Sequence, residues 1–402
     1  MKLPDLVFIG FARTAMAEYS GTPGFGLFKD LSAIELGAIA ARAALERAGI
    51  APAQVHHVIF GNALQTSADA IYGARHIGLK AGVPIETPAL TVNRLCGSGF
   101  EAVVQGARMI ALGEAEVALV GGTENMSQAP FMVRGLREGY RFGQDLKLED
   151  YLMAALYDPL AKFFMAQTAE NLAKQYAIPR EEQDRFALRS HQLGAQAVKS
   201  GLFAQEIVPV EVKRGSQTVV VDRDDHIKPD TSLEKLSALR ASFGKDGTVT
   251  AGNASGIVDG AAALILTTAE RARREGKKVL GHLRGWGVAG VPPEIMGIGP
   301  APAIRKGLEQ VGIGQGEVDL FEINEAFSAQ YLAVEKELKL DRDRVNVNGG
   351  AIALGHPLAA TGSRLTLTLL RELAQRGRRW GVASACIGGG QGLALVLERP
   401  RS

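Results

Sequence analysis

The sequence runs to 402 residues, 46% of them hydrophobic, enough for two domains or one duplicated architecture and too much for a small stapled fold. Lysine and arginine total 45 against 43 acidic residues, a net charge of +2, which leaves no electrostatic footprint for nucleic acid or an anionic membrane surface and makes a small-molecule ligand the default. The two cysteines stand far apart, at Cys96 and Cys386, a pattern that fits a reducing compartment and argues against a disulfide framework.

The first residues, Met1-Lys2-Leu3-Pro4-Asp5-Leu6-Val7-Phe8-Ile9, enter a strand at once, with neither a signal-peptide apolar run nor a basic presequence. No later stretch approaches the ~18 to 20 uninterrupted apolar residues of a spanning helix, so the expectation is a cytoplasmic protein. Leu6-Val7-Phe8-Ile9-Gly10 predicts a strand, residues 33–41 a helix, and Val58-Ile59-Phe60-Gly61-Asn62-Ala63 the core of a second strand. Pro88-Ala89-Leu90-Thr91-Val92 is a third, followed by Asn93-Arg94-Leu95-Cys96-Gly97-Ser98-Gly99. After it Phe100, Val103, Val104, Ala107, Ile110 and Ala111 recur at helical spacing until Gly113. Cys96 therefore sits at a strand-to-helix junction, where unpaired N–H groups and the helix dipole favour a thiolate and glycines allow close approach of a substrate. A small buried thiol in a glycine-rich turn has the same local pattern.

Val117-Ala118-Leu119-Val120-Gly121-Gly122-Thr123 is the next strand, and the alternation suggests helices packed on a mixed sheet. From about Glu124 to Thr250 charges become frequent and strand runs few, which reads as an insertion. Within it, residues 169–174 and 180–187 predict helices with solvated charged faces. Gly252-Asn253-Ala254-Ser255-Gly256 then leads into the strand Gly260-Ala261-Ala262-Ala263-Leu264-Ile265-Leu266-Thr267.

The last part begins with a strand over residues 279–286 and echoes the first. Val318-Asp319-Leu320-Phe321-Glu322-Ile323-Asn324-Glu325-Ala326 parallels the strand ending in Asn62-Ala63, Val347-Asn348 parallels Val92-Asn93, and Ala383-Ser384-Ala385-Cys386-Ile387-Gly388-Gly389-Gly390 parallels Ala118-Leu119-Val120-Gly121-Gly122. Three matches in one order suggest a degenerate internal duplication. Besides Cys96, the groups fit for chemistry are His356 in Gly355-His356-Pro357, Cys386, and Asn324 in Asn324-Glu325-Ala326-Phe327. A thiol, an imidazole, a second thiol and an amide supply a nucleophile, its base, a proton shuttle and an oxyanion donor.

The blocks around Cys96, His356 and Cys386, with Asn324-Glu325-Ala326-Phe327 and Gly252-Asn253-Ala254-Ser255-Gly256 in the expected order, resemble the signatures of thiolases over nearly the whole chain. Five ordered blocks are far more specific than any single one. The resemblance implies an α/β fold of two similar mixed-sheet halves in a layered αβαβα arrangement, with an inserted loop domain. Its boundaries would be 1–123 plus 251–275 for the N-terminal half, 124–250 for the loop domain and 276–402 for the C-terminal half.

The resemblance further implies an acyltransferase acting by reversible Claisen condensation of acetyl-CoA or thiolysis of 3-ketoacyl-CoA. Cys96 would be the acyl acceptor, His356 its base and Cys386 the second acid and base. His356 and a water held by Asn324 would meet the enolate oxygen, and the backbone N–H groups of Cys96 and Gly388 the tetrahedral intermediate. No metal or redox cofactor is implied, coenzyme A being a substrate. Ser255 matches a pantetheine-contacting serine, Lys228 falls where a basic residue meets the nucleotide, and Leu156, Met165, Phe243 and Phe327 would line the pocket. Phe164 stands where acetoacetyl-specific members carry histidine, which makes the acyl pocket less polar, and Ala359 replaces a frequent glycine. A decarboxylating condensing enzyme, which pairs one cysteine with two histidines, and a catalytically silent acyl-CoA-binding, lipid-binding or scaffold protein are the rivals; the retention of Asn324, Cys386 and every reactive group argues against both. The segments 89–92 and 126–131 match regions that meet a second subunit and 132–150 a loop joining two dimers, implying a homotetramer, with a homodimer as the simpler alternative.

Overall fold

The computed structural model describes residues 4–244 and 246–400; Met1 to Leu3 of the expected first strand and Lys245 lie outside the described residues. Strands β1 (Leu6–Arg13), β2 (His57–Gly61), β3 (Ala89–Val92), β4 (Val117–Glu124), β5 (Val258–Thr268), β6 (Gly281–Gly290), β7 (Leu320–Ile323), β8 (Trp380–Ile387) and β9 (Gln391–Glu398) form one mixed sheet in the order β7-β8-β9-β6-β1-β5-β4-β2-β3. The short strand Ala17–Glu18 pairs with β5 as the tenth. The two halves join where β1 pairs antiparallel with β6, Leu6 opposite Leu283 and Phe8 opposite Gly281.

Side chains of period two divide each strand between two apolar layers. Val7, Val58, Phe60, Val117, Leu119, Ala263 and Ile265 pack outward under helix α1 (Ala33–Ala48). Leu6, Phe8, Ile59, Ala118, Val120 and Leu264 pack inward, together with Leu320, Ala383, Leu393 and Leu395 of the second half. That inner layer holds α2 (Ser98–Ala111) and, much later in the chain, α7 (Leu358–Gln375). Phe321, Ile323, Val382 and Val396 face out under α5 (Pro300–Val311) and α6 (Ser328–Leu338). The result is the five-layered αβαβα arrangement. Locally, α1 starts on a capping box, with Glu35 N–H donating to Ser32 Oγ at 3.1 Å and Ser32 N–H to Glu35 Oε2 at 2.7 Å, and stops at left-handed Gly49.

The central helices cross at backbone contact. A Cβ on Gly99 would stand 2.6 Å from Ala359 O, and one on Gly362 would stand 2.4 Å from Phe100 N, so neither position admits a side chain. This crossing brings the N-terminal ends of α2 and α7 together, and with them Cys96 and His356.

The pairings also fix the internal duplication. Ile59 lies opposite Leu90 and Phe321 bridges Val345, so Val92-Asn93 and Val347-Asn348 do correspond. The third match is corrected. Gly61 lies opposite Gly122, while Ile323 lies opposite Ser384, which makes Glu124, not a glycine, the counterpart of Cys386. Glu124 pairs with Gly260 as Cys386 pairs with Gly392.

Between Glu124 and Val258 the chain makes three small hairpins and the helices α3 (Met165–Gln175) and α4 (Arg180–Lys199). Two of the charges expected to be solvated are not. Glu170 and Asp184 are 8% and 2% exposed; Glu170 accepts the N–H groups of Thr248 and Val249, each at 2.7 Å, and Asp184 accepts Asn253 Nδ2 at 2.9 Å. Donors in the returning loop claim these carboxylates, a pairing that helical periodicity does not register.

Candidate active site

Cys96 lies in a single helical turn, Leu95–Gly97, between β3 and α2. Its predecessor Leu95 sits at φ 46°, a left-handed conformation that costs a residue with a Cβ on the order of 1 to 3 kcal/mol. Hydrogen bonds hold the turn. Leu95 N–H donates to Asn93 Oδ1 at 2.9 Å, Arg94 N–H donates to Ser98 Oγ at 2.8 Å, and the Ser98 hydroxyl donates to Leu95 O at 2.7 Å. The thiol projects, half-buried, into a cavity of about 240 Å³.

The same cavity is lined by His356 and Cys386, from the other half of the molecule, and by Ser255, Leu156, Met165, Phe243 and Phe327. Eight of the expected site residues thus converge on one space. Ser255 is carried there by the loop that Glu170 and Asp184 anchor, and its N–H donates to Ala326 O at 3.0 Å. Cys386 is the penultimate residue of β8, and the N–H of Gly388 in the following turn favours the charged form of the Cys96 sulfur. Asn324, fully buried just past β7, places Nδ2 3.3 Å from His356 Nε2. It meets the imidazole directly, and its Oδ1 has no hydrogen-bond partner among the described residues. Lys228 stands apart from the lining residues. Its ammonium is 3.1 Å from Glu18 Oε2 and 4.4 Å from the Phe25 ring centre.

His356 is pinned at both ends. Its N–H donates to Gly256 O at 2.9 Å, and Nδ1 lies 2.6 Å from Thr361 Oγ1. Burial drives its pKa down to about 3, with the positive charge of Arg364 adding to the fall. Burial likewise pushes Cys96 up to about 11, against the Gly388 and Cys96 N–H groups that lower it and with Glu124 raising it further. The expectation that the helix end favours a thiolate is therefore corrected: in this apolar pocket desolvation exceeds what the backbone donors return. Cys386, 1% exposed, is pushed up further, by burial and by its proximity to Cys96. Burial thus favours the uncharged form of all three groups, two thiols and an imidazole.

Several residues at the site escaped the sequence reading. Met126, Met153, Met296, Ile257 and Leu358 complete the apolar wall, and nothing in their local pattern separates them from ordinary core. Thr361, five residues beyond His356, has no role on the sequence alone. Glu124, fully buried beyond the pocket wall, accepts Asn62 Nδ2 and Leu64 N–H at 2.9 Å and Ala63 and Ala359 N–H at 3.1 Å. It joins the end of β4, the 62–64 loop and the first turn of α7.

The model of the thiolase N-terminal domain matches residues 6–270, and that of the thiolase C-terminal domain matches residues 277–399. The chain belongs to the thiolase family. It is 52% identical over 398 residues to the mitochondrial 3-ketoacyl-CoA thiolase of Homo sapiens, covering 98% of each chain. The acetyl-CoA acetyltransferase of Chromobacterium violaceum is 46% identical over 397 residues, covering 98% of this chain and 100% of that one. The crystal structure of human mitochondrial 3-ketoacyl-CoA thiolase superposes with a TM-score of 0.95 at 50% identity, over 100% of both chains. A second crystal structure of that human protein, in complex with CoA, gives a TM-score of 0.94 at 49% identity over 99% of this chain and 98% of that one. The thiolase halves meet where the cavity lies, with Cys96 from the first match and His356 and Cys386 from the second.

Proposed function

We propose that this acyltransferase moves acyl groups between CoA thioesters through a thioester on Cys96. The single observation that carries the residue roles is the convergence of Cys96, His356 and Cys386 on one apolar cavity. In thiolysis, the Cys96 sulfur attacks the keto carbon of a 3-ketoacyl thioester as His356 Nε2 takes the thiol proton. Both groups resist charge when alone. Forming thiolate and imidazolium together lets each offset the burial of the other. The oxyanion at the attacked carbon receives the N–H groups of Gly388 and Cys96. The C–C bond then breaks and the acetyl-CoA enolate, its oxygen facing His356 and Asn324, takes a proton on carbon from Cys386. The Cys386 thiolate removes the proton of an incoming CoA thiol, whose sulfur attacks the acyl carbon; the proton on His356 returns to Cys96 as it leaves. Condensation of two acetyl-CoA molecules is the reverse. Side chains and backbone donors supply every step of this scheme, without a metal or redox cofactor.

The reading extends to binding and assembly. Ser255 contacts pantetheine and Lys228 the nucleotide end, with 124–250 as the loop domain between halves 1–123 plus 251–275 and 276–402. Leu90 on the edge strand β3, with Phe131, Leu136, Phe142, Leu146 and Leu148, exposes apolar surface in the expected contact segments, in support of a homotetramer built as a dimer of dimers. Among the described residues no helix is long and apolar enough to cross a membrane, and two free cysteines suit a cytoplasmic location. His356 is the one histidine among the cavity-lining residues described, which disfavours a decarboxylating enzyme.

Incubation with acetyl-CoA should add one acetyl group to a peptide containing Cys96, and Cys96→Ala should abolish transfer while CoA still binds. Cys386→Ser should still acetylate but lose exchange of the acetyl methyl protons with solvent. Acetylation of Cys386 in place of Cys96, or full activity in the alanine variant, would sink the assignment.

A further inference from the structure

The Gly388 N–H, read above as an oxyanion donor, sits on a turn with little stiffness of its own. Residues 388–390 are all glycine, with Gly389 at φ 78° and Gly390 at φ 86°, and glycine gives up more conformational freedom than any other residue when ordered. An oxyanion donor must nevertheless be in place before charge develops, because its value lies in needing no reorganisation. Something has to hold the turn.

The near side is crowded: a Cβ on Gly388 would stand 3.2 Å from Leu95 Cδ1. The far foot of the turn is Gln391, the first residue of β9. Its Oε1 accepts a hydrogen bond of 2.8 Å from Arg94 Nη1. Arg94 lies two residues before Cys96 in the chain, and its own N–H is fixed on Ser98 Oγ. Its guanidinium is oriented from behind by Glu101 in the first turn of α2, at 2.8 Å from Nε to Oε2, with Glu101 itself 7% exposed. A single side chain thus spans from the nucleophile loop of one half to the oxyanion turn of the other.

We propose that Arg94 is a positioning residue, a strap through Gln391 that fixes the spacing between the Cys96 sulfur and the Gly388 N–H. The inference rests on the reading of Cys96 as acyl acceptor. Arg94 is not among the residues that line the cavity, so its removal acts on the donor geometry and not on thioester binding. The planar guanidinium can serve Glu101 and Gln391 at once, which a lysine ammonium on a flexible stem does poorly.

The test is the rate of Cys96 acetylation from acetyl-CoA, followed by rapid quench and mass spectrometry of the Cys96 peptide, beside steady-state kcat and KM. Loss of one oxyanion donor costs about 10²- to 10³-fold in other enzymes. Arg94→Met and Gln391→Ala, which loosen such a donor without deleting it, should each slow acetylation by roughly 10- to 100-fold, with KM within about twofold of the parent. The double variant should be no slower than either single, since the two share one contact. Gln391→Glu keeps an acceptor for Arg94 and should stay within about threefold of the parent, which a merely structural role at that position would not require. Multiplying effects in the double variant, a loss confined to KM, or acetylation unchanged in both singles overturns the strap. If Arg94→Met fails to fold, Gln391→Ala and Gln391→Glu carry the comparison. Failure of the underlying reading looks different: the unaltered protein would then form no acetylated Cys96 peptide at all.

Discussion

His356 Nδ1 and Thr361 Oγ1 lie 2.6 Å apart, five residues along the same turn into α7. With Asn324 Nδ2 directed at Nε2 from 3.3 Å, the network assigns the proton to Nδ1, donating to the threonine, and leaves Nε2 unprotonated, its lone pair accepting from Asn324. That is the tautomer a base for Cys96 requires. Thr361→Val, isosteric and 1% exposed at this position, removes the acceptor and leaves a buried N–H unpaired, a cost of about 1 to 3 kcal/mol. Acylation should fall by about tenfold or more, with Thr361→Ser near the parent. Equal rates in the valine and serine variants would show that the tautomer is set elsewhere.

Much of this geometry was legible in the sequence because it lies in local patterns. Apolar runs marked β1, β4 and β5, helical spacing marked α2, and the glycines beside Cys96 and His356 announced loops at element ends, whereas Cys386 lies within β8, paired with Gly392. What escaped depends on contacts between distant segments. Glu170 and Asp184 read as solvated because their partners, Val249 and Asn253, are 79 and 69 residues away. Glu124 gave no sign of being the counterpart of Cys386, since strand register and not residue similarity reveals it. The raised thiol of Cys96 follows from the apolar wall, to which residues from Met126 to Leu358 contribute, and no window of sequence holds them together.

Buried carboxyls set the pH dependence of stability. Burial raises Glu124 to about 7, its four N–H donors holding it below what desolvation alone would give, and raises Glu322 to about 8 despite Arg364 at 3.3 Å. In the unfolded chain both titrate near 4.5, so the folded state binds more protons from there to about pH 8 and stability falls as pH rises through that window. His191 and His356 act oppositely, since burial lowers them to about 4 and about 3. Their contribution to stability rises with pH and is complete above the ordinary histidine value of about 6.5. The two effects compete below that value, and only the carboxyls remain above it. Urea midpoints should therefore fall between pH 6.5 and 8.5, and Glu322→Gln should flatten the fall. A midpoint that climbs over this interval would contradict the assignment.

Phe164 places an aromatic ring in the cavity, 5.6 Å from the Phe243 ring and 5.0 Å from that of Tyr157. An acyl chain entering this wall buries methylene groups worth about 0.8 kcal/mol each, or about fourfold in kcat/KM per methylene until the space is full. Thiolysis should accordingly rise from acetoacetyl-CoA through 3-ketohexanoyl- and 3-ketooctanoyl-CoA. Phe164→His should reduce the longer substrates by roughly five- to tenfold more than acetoacetyl-CoA, because a buried imidazole lacks a partner there. A flat chain-length series in the unaltered protein would show that the chain does not enter this wall.

Among the described residues strand β3 ends the sheet with β2 as its one neighbour, and Leu90 on it is 38% exposed. An uncovered edge with an apolar side chain invites pairing with a second copy, and an isologous contact of that kind closes as a dimer. The loop beyond β4 is a separate surface. Phe131 is 67% and Leu148 66% exposed, and Phe142 stands fully in solvent, interleaved with Arg134, Arg137 and Arg141, which gives an apolar contact with a charged rim. Dimers meeting through this loop generate a tetramer with dihedral symmetry. Light scattering should give a mass near four chains of 42.6 kDa. Leu90→Lys, which adds a charge to the edge, should yield single chains or weakened dimers, whereas Phe142→Ser with Leu146→Ser should stop assembly at two. A mass near one chain for the unaltered protein would refute both contacts, and a mass near two would show that the 132–150 loop does not join dimers here.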